Sequence, residues 1–126
     1  MLLAHYGAAP WFAIQWHGMA ASTCPTTDVY PSHGRDVTPA PSDKIAVLRG
    51  NLLADHPTWR VDLPGSGSCS LNATENVQGR LLNGVPAEGV CGTEGSSYTQ
   101  KFIHIEQDPN FRNPSDWIAS ITGTFP

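Results

Sequence analysis

The sequence predicts an α/β domain, a mixed sheet flanked by helices and rich in loop. Three observations lead there. Segments with strand periodicity alternate with segments of helical spacing. The 126 residues leave room for one domain, residues 1–126, with a core of its own. The 12 glycines and 11 prolines, roughly 18% of the chain against an expected ~12%, call for many turns.

The elements follow in order. Trp11 to Trp16 (WFAIQW) is aromatic and apolar between Pro10 and Gly18, and reads as a buried strand with His17 at its C-terminal end. Ser22-Thr23-Cys24-Pro25 makes a turn, and Asp28-Val29-Tyr30 a brief extended piece ended by Pro31 and Gly34. Ser42 is placed to cap a helix over 43–54, in which Ile45, Leu48 and Leu52 share one face. After His56-Pro57, the alternation of Trp59, Val61 and Leu63 with Arg60 and Asp62 predicts a half-exposed strand. From Gly65 to Gly95 the chain reads as a long loop, interrupted at most by a short strand or turn around Val77 to Leu82. A loop of that length inside a compact domain points to function. Lys101 to Glu106 (KFIHIE) is a strand with Phe102, His104 and Glu106 on one face, and Asn113-Pro114-Ser115-Asp116 opens a terminal helix through about Ile121.

Composition excludes several classes. Charged residues are 14% of the chain, net charge is −4 and no cluster of Lys and Arg exists, so the electrostatic footprint of a nucleic-acid binder is missing. The apolar run from Met1 to Trp16 is broken by His5, Tyr6, Gly7, Pro10 and Gln15, too often to predict a membrane span. With no basic residue after Met1 it is not expected to act as a signal peptide either. Cys24, Cys69 and Cys91 lack the paired spacings of a zinc cluster, and an odd number leaves one unpaired within the chain. Their Ser, Pro, Gly and Thr surroundings suit an oxidising compartment, secreted or periplasmic. The sequon Asn72-Ala73-Thr74 adds little.

Three places can carry chemistry. His17, at the end of a strand, is aimed at the crevice where open α/β sheets bind ligands, and an imidazole there ligates a metal or moves a proton. Glu106 ends an apolar strand, and a half-buried carboxylate has its pKa raised toward the range of a general base; a surface Glu paired with Lys101 or Arg112 is the structural alternative. His104, on the same face, is expected to pack or to support Glu106. In Asn76-Val77-Gln78-Gly79-Arg80-Leu81-Leu82-Asn83-Gly84, Arg80 sits between glycine-containing turns and presents a fork suited to a carboxylate. His5, His33 and His56 have no metal-ligand spacing to another donor and read as structural or exposed.

Taken in order, FAIQWHGMAASTCPTTDVY, NVQGRLLNG and FIHIEQDPNFR resemble the C-terminal part of the superfamily of zinc-dependent carboxypeptidases and N-formylglutamate amidohydrolases. GVPAEGVCG also looks like the linker those proteins place before the catalytic strand. The resemblance implies an incomplete zinc-peptidase-like domain in which His17 is the third zinc ligand and Glu106 the catalytic carboxylate. It implies that Arg80 grips the carboxylate of a small amide or peptide substrate, with Asn76 and Asn83 offering further hydrogen bonds or simply forming turns. The reaction implied is zinc-assisted hydrolysis of an amide bond beside a carboxylate. The superfamily's first two zinc ligands, a His and a Glu, precede the third-ligand strand, whereas only sixteen residues precede His17 and His5 has no carboxylate shortly after it. The chain therefore looks like the C-terminal half of a larger hydrolase, or a degenerate relative, expected to bind zinc weakly and to have little or no activity alone. Leu2, Leu3, Trp11, Phe12 and Trp16 would then leave an apolar surface and favour self-association. The alternative is a secreted, non-catalytic binding domain whose Gly/Ser loop is a recognition surface and whose Cys69 pairs with Cys91.

Overall fold

The computed structural model describes residues 11–126. Their order is β1 (Ala13–Gly18), β2 (Val29–Ser32), α1 (Lys44–Asp55), α2 (Val77–Leu82), β3 (Phe102–Gln107) and α3 (Ile118–Thr124), with 3₁₀ turns at Ala87–Gly89, Pro109–Phe111 and Pro114–Asp116. The three strands form one mixed sheet in the order β1-β3-β2, with β3 parallel to β1 and antiparallel to β2. The α/β class read from the sequence is the class observed.

Side chains alternate across a strand, so the sheet has two unlike faces. Ile103 and Ile105 of β3 and Val29 of β2 turn to one side, where they meet Ile45, Leu48 and Leu52 of α1, Val61 and Trp117 in the main core. Those three residues of α1 are almost fully buried, at the i, i+3, i+7 spacing that packs one stripe of a helix on a sheet. Helix α3 packs beside α1 and contributes Ile121, and Trp117 just ahead of α3 donates its indole N–H to the Phe111 carbonyl at 2.8 Å. The other face carries Gln15 and His17 of β1 and His104 and Glu106 of β3, and β2 sets Tyr30 and Ser32 beside them.

Several local expectations are corrected. Strand β1 begins at Ala13 and runs through Gly18, with His17 near its C-terminal end as expected, but it is half-buried to exposed and not buried, because it lies at the edge of the sheet among the described residues. Ser42 does not cap α1. The N-cap is Asp43, whose carboxylate instead accepts from the Ala40 N–H and the Tyr98 hydroxyl, while Gln100 Oε1 accepts from Lys44 N–H at 2.7 Å. A loop distant in sequence thus supplies the cap. The strand expected at Trp59 to Leu63 reduces to a single bridge, Val29 to Val61, because the neighbouring backbone groups are taken by the Asp28–Arg60 pair and the Leu63–Ser66 turn. The short strand or turn at Val77 to Leu82 is a helix, α2, capped by Asn76, whose side chain accepts from Gly79 N–H at 2.9 Å. The terminal helix opens as a 3₁₀ turn and continues past Ile121 to Thr124.

The disulfide joins Cys24 to Cys69, across 45 residues, and Cys91 is the unpaired, exposed cysteine. The Cys69–Cys91 pairing of the binding-domain alternative is therefore not the one formed. Around the bond lies a second small core of Met19, Tyr30 and Leu71, which ties the segment after β1 to the segment that roofs the polar face of the sheet. Among the described residues no helix is long and apolar enough to cross a membrane. His5 and the apolar residues before Trp11 lie outside the described residues.

Candidate functional site

Parallel pairing in register decides the site. His17 is the partner of Glu106 and Gln15 the partner of His104, so all four side chains leave the sheet on one side near the C-terminal ends of β1 and β3. One ligand atom each of His17, His104 and Glu106 lies within 4.8 Å of the others. The two imidazole rings are 4.3 Å apart between centroids, and His104 Nε2 is 3.8 Å from Glu106 Oε1. Gly18 follows His17 where the Arg112 guanidinium crosses both strand ends, donating to the Gln107 and Met19 carbonyls at 3.1 and 2.9 Å. A Cβ on residue 18 would come within 2.6 Å of that guanidinium. Arg112 thus fastens the strand ends and is not the salt-bridge partner of Glu106 that the structural alternative supposed.

The three donors differ in setting. His17 is exposed, Glu106 half-buried and His104 buried. Burial, with His17 beside it adding to the effect, pushes the His104 pKa down to about 4, so at neutral pH the ring is uncharged and its contact with Glu106 is not an ion pair. His17 Nε2 lies 3.0 Å from Gln15 Oε1, which also accepts from Asn76 Nδ2 at 2.5 Å. The ring nitrogen facing a carboxamide oxygen carries the proton, so Nδ1 of His17 holds the lone pair.

Over His104 and Glu106 opens a polar cleft of about 440 Å³, walled by residues 70–76 and Asp36; His17 and Gln15 stand outside its lining. Its lining holds three carboxylates, Asp36, Glu75 and Glu106, and no Lys or Arg. Asn72 in the wall is buried. It accepts from the Tyr30 hydroxyl and donates to Asp36 and Ser70, so the sequon amide is engaged inside the protein.

The other predicted residues stand around this cleft in different ways. Asn76 lines it while capping α2 and bracing Gln15. Arg80 does not line it; its Nε and Nη1 donate to the Thr74 and Val90 carbonyls, both at 2.9 Å, and so hold the wall segment to the loop that follows α2. Asn83 is buried at the C-terminus of α2, where it donates to the His33 carbonyl at 2.8 Å and accepts from Thr99 N–H at 3.1 Å. His33 and His56 are both hydrogen-bonded to backbone carbonyls, of Phe102 and Asp116.

The residue that sequence reasoning undervalued is His104. Period-two alternation already put it on the face of Glu106, but its nearness to His17 depends on the β1–β3 register, which no local pattern reveals. The chain matches no family model, no curated protein and no solved structure.

Proposed function

We propose that the chain is a zinc-dependent hydrolase-like domain for an amide or peptide bond next to a carboxylate. The observation that supports this reading best is the pairing of His17 with Glu106 across two parallel strands, with both side chains at the carboxyl ends of the sheet beside a polar cleft. A binding module has no need to bring an imidazole ligand and a half-buried carboxylate together in this way.

In the proposed reaction, water adds to the scissile carbonyl, the C–N bond breaks, and a carboxylic acid and an amine leave. Zinc held through His17 would supply polarisation of the carbonyl and of the water, lowering the water's pKa toward ~7. The Glu106 carboxylate accepts the proton of the attacking water and delivers it to the leaving nitrogen. Gln15 orients the His17 ring, and Asn76 fixes Gln15. Arg80 lies outside the cleft lining and anchors the cleft wall through its Nε and Nη1, so the grip on the substrate carboxylate that the resemblance implies is not assigned to it. A secreted or periplasmic setting accompanies the reading, since the Cys24–Cys69 disulfide is compatible with an oxidising compartment.

The test is hydrolysis of N-acyl-glutamates and short peptides by the purified chain with zinc in excess. Because the superfamily's first two zinc ligands have no match in the chain, only weak turnover is expected, requiring the metal and abolished in Glu106→Gln. No turnover above the blank, or turnover indifferent to Glu106→Gln, contradicts the reading and favours the non-catalytic binding domain.

A further inference from the structure

His104 is the unexplained group in the site. The residue is 5% exposed and neither ring nitrogen takes part in a hydrogen bond among the described residues; Nε2 is the one that faces Glu106, and Nδ1 on the far side of the ring is buried without a partner, which an ion on Nε2 would not change. Buried polar groups in folded proteins are nearly always bonded, and an imidazole left without partners costs free energy. The 3.8 Å from its Nε2 to Glu106 Oε1 is too long for a hydrogen bond. It is close to the ~3.4 Å that separates two ligands of a tetrahedral ion with bonds of ~2.1 Å. All three ligand atoms lie within 4.8 Å of one another, and the widest of these separations has to close further for all three to bind one ion.

The surroundings suit a cation. Gln15 fixes the His17 tautomer that leaves a ring nitrogen available, and Asn76, held as the cap of α2, fixes Gln15. An imidazole whose second nitrogen is bound in this way is the usual outer support of a metal-ligating histidine. Asp36 and Glu75 add negative charge to the cleft wall with no basic residue opposing them in the lining. Two imidazoles and one carboxylate are a donor set for zinc and neighbouring first-row divalent ions.

We infer that His17, His104 and Glu106 together hold one divalent first-row metal ion, so that this chain alone supplies three protein donors. The inference rests on the hydrolase reading for the use of the ion, and departs from it in making His104 a ligand and in giving Glu106 a bond to the resting ion.

The experiment is ¹⁵N NMR of the histidine ring nitrogens in the whole chain, titrated with Zn²⁺, beside a Zn²⁺ affinity measurement on His104→Gln and Glu106→Gln. The ring signals reveal the ligands in the unaltered protein, whether or not a variant folds. One equivalent of Zn²⁺ is expected to shift the ring nitrogens of His17 and His104 and to leave His33 and His56 in place. Each variant that keeps the wild-type circular dichroism should bind at least about tenfold more weakly. A response of His17 without His104, a response spread over the other histidines, or wild-type affinity in folded His104→Gln or Glu106→Gln overturns the three-donor site. The first of these leaves the hydrolase reading with the one ligand the resemblance assigns. If both histidines bind the ion and no amide is hydrolysed, the hydrolase reading fails and the metal site stands.

Discussion

His33 carries, away from the cleft, a consequence of burial that can be measured. Its Nδ1–H donates to the Phe102 carbonyl at 3.0 Å, its ring stacks on Tyr98 with centroids 5.0 Å apart, and Nε2 is buried without a partner. Burial lowers its pKa below the ordinary histidine value, against the opposing pull of the Phe102 hydrogen bond and of Asp43. Because the folded pKa lies below the unfolded ~6.5, the unfolded chain takes up this proton first as pH falls. Stability from this source is complete above pH ~6.5 and is lost below it. We therefore expect the melting temperature to fall from pH 7 to pH 5, and to fall less steeply in His33→Asn. An unchanged slope in a folded His33→Asn contradicts the assignment. The sequence showed only that His33 precedes a glycine. Its burial comes from β3 and the Tyr98 loop, both more than sixty residues away, which local pattern does not reach.

Among the elements, α2 depends most on one residue. Gly79 is buried inside this helix, and a Cβ there would stand 2.7 Å from Cε2 of Phe102, itself almost fully buried on β3. Alanine favours a helix over glycine by up to ~1 kcal/mol, but forcing a methyl against a fixed ring costs about 1–3 kcal/mol. Gly79→Ala is expected to destabilise the protein by about 1–2 kcal/mol in urea unfolding, against its helix propensity. A stabilised variant would mean that α2 does not press on β3 at this point. Helix α1 was legible because Ile45, Leu48 and Leu52 repeat at helical spacing, and β3 because KFIHIE alternates. Helix α2 was not, since it is six residues long, holds a glycine, and docks on Phe102 through that glycine while Val77 and Leu81 stay exposed; Asn76 caps it. The Trp59–Leu63 alternation misled because the segment finds one bridge and no full partner strand.

For the molecule as a whole, the two faces of the sheet divide the work. The face toward α1 and α3 is core, and the opposite face, roofed by the disulfide-tied segment around residues 69–76, bears the polar cleft. Beside them β1 is an edge strand among the described residues, and near its end Trp16 is 46% exposed and Ile118 is 65% exposed around an apolar hollow of about 460 Å³. An unpaired edge next to an apolar hollow favours association. The purified chain is expected to self-associate in light scattering, less so in Trp16→Ser; a monodisperse monomer at high concentration contradicts this. The candidate site was partly readable, since His17 and Glu106 each end an apolar run. What joined them, and added His104, was the long-range register of β1 on β3.

The metal site that this register builds is tested by titrating the purified chain with zinc in a calorimeter at neutral pH, beside His17→Ala. One ion per chain is expected, bound at least about tenfold more weakly once His17 is removed. Absence of binding, or binding of equal strength in folded His17→Ala, would contradict it.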